Sequence, residues 1–324
     1  MALDHAPGIF DVRRPTPLRC KSVEGGERPA QLMPVEVRYY TDPACAWSWG
    51  FEPQLRRLMW GFGEGLRFEW VMGGLARAYG SEYRDEEAGI TGDRDCFDAL
   101  MSHWLDVSGE TGMPIDPRLW RRNPIASTYP ACQAVEAAAE QGSELAYAYL
   151  RRLREGLMCE LKKLDHGEAL VGEAGPAGLD VERFRIDLGS HAITEGFAAD
   201  LDEVRNPPDA AREAGKVKRT EGHERLSFPS AVFVAEDGTR PGAWGWQPYE
   251  AYRDAALAAG ARVARDRPPE PREVLERFGR ATTKEVEVLT GRPAPVVRAE
   301  LWAAARDWRV RPVDVAGGTI WELP

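Results

Sequence analysis

No stretch of the chain stays apolar for the ~18 residues that a membrane-crossing helix requires, so no transmembrane span is predicted. The N-terminal MALDHAPGIFDVRRPTPLRC lacks the charged, apolar and small-residue zones of a signal peptide, which predicts a cytoplasmic protein. Basic charge is in deficit: 42 Lys and Arg stand against 52 Asp and Glu, a formal net charge of -10. That field repels phosphate, so neither nucleic acid nor an anionic membrane is expected as a partner. The five histidines show no metal spacing, and the five cysteines, at 20, 45, 96, 132 and 159, include no Cys-x-x-Cys. Zinc and iron–sulfur sites and a disulfide framework are excluded on spacing, no bound cofactor is expected, and free thiols are the default.

What is present is a globular composition. With 43% hydrophobic and 29% charged residues, the chain can bury one large core and a smaller second unit. Residues 1–34 carry prolines and mixed charge without periodicity and read as an N-terminal arm. VEVRYY (Val35–Tyr40) alternates as a strand does, and TDPACAWSWGFEPQLRRLMWGF turns into a helix with Leu55, Leu58 and Met59 on one side. LRFEWVMGGL is a second strand, at the spacing of a parallel βαβ unit. From about residue 93 to 221, glycines and prolines punctuate a series of helices. Extended character returns in PSAVFVAEDGTRPGAWGW, a hairpin about Glu236-Asp237-Gly238, and QPYEAYRDAALAAGARVAR follows as a helix.

The linker RDRPPEPRE (Arg265–Glu273) marks a domain boundary. Beyond it come three helices and a hairpin in the order of a winged helix, with Thr282 and Thr283 capping the middle helix and Gly291 ending it. The arginines of this tail are balanced by acids, so packing, dimerisation or partner contact is expected of it and DNA binding is not.

YYTDPACAWSWGFEP, Tyr39 to Pro53, places a lone cysteine at a strand-to-helix corner. At a helix N-terminus, unpaired N–H groups and the helix dipole favour a thiolate, and such cysteines fall from about 8.5 to about 3.5–7.5. Cys45 is therefore expected to be exposed and reactive. Three residues on, where a redox pair needs its second thiol, stands Ser48, whose hydroxyl is expected to donate a hydrogen bond to the sulfur. Without a second sulfur, intramolecular release of a mixed disulfide is closed. Release then falls to glutathione or another low-molecular-weight thiol as co-substrate, or to a distant cysteine such as Cys20. Trp47 and Trp49 suit either the core or a surface for a substrate chain. Cys96, Cys132 and Cys159 sit among apolar neighbours and read as packing, Asp42 as a turn cap, and His223 as a surface residue.

The same stretch resembles the DsbA-like branch of the thioredoxin superfamily, especially the FrnE-type dithiol-disulfide isomerases. Asp42, Pro43, Cys45, Ala46, Trp47 and Trp49-Gly50 match that group's strand ending in Asp-Pro and its Cys-x-Trp-Cys helix start; Ser48 departs from it. NPIASTYPACQAVEAAAEQGSELAYAYLRRLREGLMCE resembles the family's helical insertion, and FPSAVFVAEDGTRPGAWGWQPYEAY its cis-proline loop, last hairpin and last helix. The resemblance covers most of residues 35–262. It implies an α/β thioredoxin-like fold with core halves at 35–92 and 222–264, a large helical insertion at 93–221, and an appended winged-helix-like module at 270–324. It also implies that Phe228-Pro229 is a cis-peptide loop pairing with an extended substrate beside Cys45.

The resulting expectation is a cytoplasmic thiol-disulfide oxidoreductase or isomerase working through one cysteine on protein or peptide thiols and disulfides. Cys45 is its nucleophile, Ser48 the hydrogen-bond donor, and Trp47, Trp49, Phe228 and Pro229 the substrate contacts. A homodimer is compatible with the tail. Two alternatives stay open. One is a non-catalytic interaction protein such as a protease adaptor, which loss of the second thiol and gain of a tail both fit. The other is a glutathione-transferase-like or isomerase enzyme, against which counts the serine usual in those relatives at the position of Cys45.

Overall fold

Alternation in VEVRYYT sends Val37 and Tyr39 inward and leaves Glu36 and Arg38 half-buried, which is why β1 (Val35–Thr41) serves as the central strand. In the computed structural model, which describes residues 33–92 and 95–324, β1 runs through a turn into α1 (Ala46–Phe62) and on to β2 (Leu66–Met72). The arm at 1–32, with Cys20, lies outside the described residues. β2 pairs parallel with β1, Val35 opposite Leu66, as the βαβ spacing predicts.

The chain then leaves the sheet for α2 (Cys96–Thr111), α3 (Leu119–Arg122), α4 (Tyr129–Ala139), α5 (Ser143–Met158), α6 (Gly167–Ala174), α7 (Val181–Leu188), α8 (His191–Arg205) and α9 (Asp209–Glu213). Asp95, Asp180 and Ser190 cap α2, α7 and α8 by accepting first-turn N–H groups. A hairpin outside the main sheet follows, β3 (Val217–Thr220) with β4 (His223–Leu226), where the sequence reading continued the helical insertion to residue 221. The chain re-enters the sheet as β5 (Ser230–Val234) and β6 (Gly242–Ala243) and ends this half with α10 (Tyr249–Ala258). Strand order is β2-β1-β5-β6, with β5 antiparallel to β1 and Tyr39 opposite Ala231. This is an α/β thioredoxin-like core with a large helical insertion.

The last segment forms α11 (Pro271–Phe278), β7 (Arg280–Thr282), α12 (Thr283–Thr290), α13 (Ala294–Arg306), β8 (Arg311–Val315) and β9 (Gly318–Glu322), with sheet order β7-β9-β8. Thr282 caps α12 in a capping box with Glu285, and Gly291 closes it at φ 65°. The tail has its own small core around Val274, Val286, Leu289, Val297 and Trp321. It is nonetheless docked: Pro34–Pro324 form one compact unit, and α12 packs along α1. Among the described residues, no helix is long and apolar enough to cross a membrane.

Candidate functional site

Asp42 builds the corner at which Cys45 sits. Its main-chain carbonyl accepts the Cys45 N–H at 3.2 Å, Oδ1 accepts the Ala44 N–H at 2.8 Å, and Oδ2 accepts the Leu75 N–H at 2.8 Å and the Cys132 thiol at 3.3 Å. Burial pushes this carboxyl up, and the backbone hydrogen bonds pull against it. Asp42 therefore organises the turn and joins the end of β1 to the loop after β2. Cys45 is the N-cap of α1, and its sulfur accepts the Ser48 backbone N–H at 3.4 Å.

The corner is closed. Cys45 is only 4% exposed. Tyr79 and Glu87 from the segment after β2, His103 and Trp104 from α2, and Arg225 from β4 surround it, leaving a cavity of ≈ 20 Å³. A space of that size holds about one water beside the sulfur. Burial first, and the Glu87 carboxylate second, push the Cys45 thiol up to about 12, outweighing the opposing effect of Ser48.

These facts correct the sequence reading at several residues. The exposed, low-pKa thiolate expected at Cys45 is replaced by a buried neutral thiol, because desolvation outweighs the helix start. Ser48, expected to donate a hydrogen bond to the sulfur, does act on it: its main-chain N–H donates at 3.4 Å, and hydrogen bonding from its side chain and backbone pulls the thiol down, too weakly to offset burial. Trp49 is a core residue: fully buried, it donates its indole N–H to the Pro114 carbonyl at 2.9 Å and lies under the Arg151 guanidinium at 4.3 Å. Phe228 is also fully buried, in the same apolar cluster as Cys45, Tyr40, Val71 and Leu75. The Phe228–Pro229 bond is cis, and the buried Pro229 carbonyl accepts the Tyr252 hydroxyl at 2.8 Å. Neither side chain is presented to a client in this conformation. Trp47 alone of the six is half-buried, packed edge-on against His103 and tilted against Trp246 at 5.1 Å.

Cys96, Cys132 and Cys159 are buried free thiols, and His223 is exposed. Among the described residues, no group of three His, Cys, Asp or Glu side chains could hold a metal ion. Sequence reasoning missed Glu87, His103 and Arg225, the polar wall of the cavity. They come from three separate segments, and no local spacing links them; the one available signal was Arg225, three residues ahead of Phe228.

The family model described as Thioredoxin matches residues 39–206, more than half of the chain. The ClpXP adapter protein SpxH of Halalkalibacterium halodurans is 30% identical over 172 residues, 53% of this chain and 55% of that one, so this match spans about half the relative's length. The ClpXP adapter protein SpxH of Shouchella clausii is 24% identical over 324 residues, 98% of this chain and 95% of the relative. A candidate protein disulfide isomerase of known structure from Nitrosomonas europaea is 20% identical and covers 69% of this chain and 97% of its own, with a TM-score of 0.52, a likeness of fold. With the βαβ start, the antiparallel return of β5 and the helices between them already in place, the match over 39–206 makes the assignment: the chain belongs to the thioredoxin family, with a helical insertion between the halves of its core.

Proposed function

We propose that the chain is a protein-binding adapter on a thioredoxin scaffold, one that hands a client protein to a ClpXP-type protease without thiol turnover. The observation that carries this reading is the closed state of Cys45: 4% exposed, a thiol pushed up to about 12, and serine where the resolving thiol would stand. Each of these disables one requirement of disulfide exchange, namely access, thiolate and release. The adapter-named relative from Shouchella clausii is similar over nearly the whole chain, tail included, which supports a role for the complete molecule.

The test is degradation in a reconstituted mixture of ClpXP, ATP and the soluble proteins of the source cell, followed by quantitative mass spectrometry. Addition of the full chain should shorten the lifetime of one or a few proteins several-fold, and Cys45→Ser should act equally well. If no lifetime changes, the adapter reading fails.

The monothiol oxidoreductase or isomerase remains the second reading, favoured by the position of Cys45 as N-cap of α1 beside the loop bearing the cis bond. In that chemistry the thiolate attacks one sulfur of a client disulfide, the S–S bond breaks, the other sulfur leaves as thiolate, and a second thiol such as glutathione displaces Cys45. Reduction of a mixed-disulfide peptide by glutathione that requires Cys45 would establish it in place of the adapter.

A further inference from the structure

The closure over Cys45 is a separate piece of structure. The β3–β4 hairpin is not hydrogen-bonded into the main sheet. Its outer edge instead takes up the segment after β2: Asp85 bridges Thr220, the Glu86 N–H donates to the Arg219 carbonyl at 3.0 Å, and the Glu221 N–H donates to the Arg84 carbonyl at 2.9 Å. The segment is thus bridged to the edge of the hairpin at Asp85, and the two cover the thiol together.

One buried side chain holds this assembly from inside. Arg225, on β4 and only 4% exposed, donates from Nη2 to Glu87 Oε2 at 2.8 Å and lies 3.4 Å from the Asp85 carboxylate. Its Nε donates to Thr220 Oγ1 at 2.7 Å and Nη1 to the Leu226 carbonyl at 3.0 Å. Its guanidinium sits 5.0 Å from the Phe228 ring, just ahead of the cis bond. Arg225 and Glu87 both line the cavity against the Cys45 sulfur.

We propose that Arg225 is a latch: its ion pair with Glu87 holds the lid of segment 84–90 and hairpin β3–β4 shut over Cys45, and release of that pair uncovers the thiol. The choice of an ion pair fits a lid that opens. A lid held by apolar packing loses all of its burial energy when lifted, whereas a buried ion pair returns both charges to water, and their regained hydration offsets most of the lost attraction. Opening also removes the two causes that hold Cys45 neutral, burial and the Glu87 carboxylate, and leaves the helix start to act on the sulfur. The latch goes beyond the adapter reading; with serine at position 48 an uncovered Cys45 still lacks an internal resolving thiol, so each can fail without the other.

The experiment is alkylation of the full chain by N-ethylmaleimide at pH 7.5, with peptide mass spectrometry reading Cys45 against Cys132, a fully buried cysteine on α4. The decisive variant is Arg225→Met, because the two explanations predict opposite signs. Loss of a nearby cation alone makes the thiolate rarer and slows labelling; loss of the latch speeds it. Labelling of Cys45 should rise at least tenfold while Cys132 stays slow. Unchanged or slower labelling of Cys45 overturns the proposal. Where Cys45 and Cys132 accelerate together the variant has unfolded, and Arg225→Gln decides: it removes the charge, and with it the pair to Glu87, while its amide can still donate to Thr220 or Leu226. A rise confined to Cys45 supports the latch, and no rise overturns it.

Discussion

Arg56 of α1 and Glu285 of α12 stand 3.0 Å apart with at most 1% of either side chain exposed, an ion pair closed between the helix that begins at Cys45 and the C-terminal module. Arg151 of α5 reaches the same carboxylate at 3.0 Å, and that carboxylate also accepts the Thr282 N–H at 2.6 Å. The tail is therefore fixed to the thioredoxin core by charge as well as by packing. Glu285→Ala takes one carboxylate away from two buried guanidinium groups that keep Glu52 and Glu155, and removes the acceptor of the Thr282 N–H, so a loss of about 2–3 kcal/mol is expected in urea unfolding. Glu285→Gln, which can keep the cap hydrogen bond, should lose less. A cost below about 1 kcal/mol for the alanine variant would mean that water reaches the pair.

The pH dependence of Cys45 follows from the direction of its shift. Burial and Glu87 hold the thiol at about 12, so the reactive thiolate grows tenfold per pH unit across the neutral and mildly alkaline range. Iodoacetamide labelling of Cys45 in the native protein should rise with unit slope from pH 7 to about 10, with no plateau. The same shift stabilises the fold below the unfolded thiol value of about 8.5, and that contribution is lost as pH climbs toward the folded value. A labelling plateau below pH 8 would contradict the closed site.

Much of this was legible in the sequence, and the reason it was differs from residue to residue. Val37 and Tyr39 announce β1 because a strand has period two, and Asp42 announces its turn because a short carboxylate can bind the next N–H groups. Thr282 and Gly291 mark the ends of α12 by local chemistry alone. The burial of Cys45 was not legible, because exposure is decided by what packs on the corner from elsewhere. Tyr79, Glu87, His103 and Arg225 lie 34 to 180 positions further along the chain and carry no period. The hairpin that presents Arg225 was hidden for a related reason: VKRT and HERL are four-residue strands, rich in charge, with no apolar face to announce them.

Gly73 packs directly on the ring that precedes the cis bond. A Cβ placed there would stand 2.0 Å from Phe228 Cζ, inside van der Waals contact, and Phe228 is fully buried with little room to move. Gly73→Ala should cost about 1–3 kcal/mol in thermal or urea unfolding. Adding Phe228→Leu should recover part of that loss, because the shorter side chain withdraws the colliding atoms. Additive losses in the double variant would show that the two residues do not compete for the same space.

A second buried acidic site lies on the other side of β2. Asp200 of α8 accepts the Met72 N–H at 2.6 Å, and Glu136 of α4 has its carboxyl raised by burial first and by the Asp200 carboxylate second. Asp200 is itself raised to about 6 by burial. Both groups bind protons more tightly folded than unfolded, so the pair contributes its full stability below about pH 4, the unfolded carboxyl range, and loses it as pH rises through the folded values. Glu136→Gln cannot ionise and escapes that loss. Its melting temperature should lie near that of the unmodified chain at pH 5 and several degrees above it at pH 9, on the scale of about 1–2 kcal/mol. Parallel melting curves across that range would mean that Glu136 is ionised in the folded protein and that the two carboxyl groups are held apart.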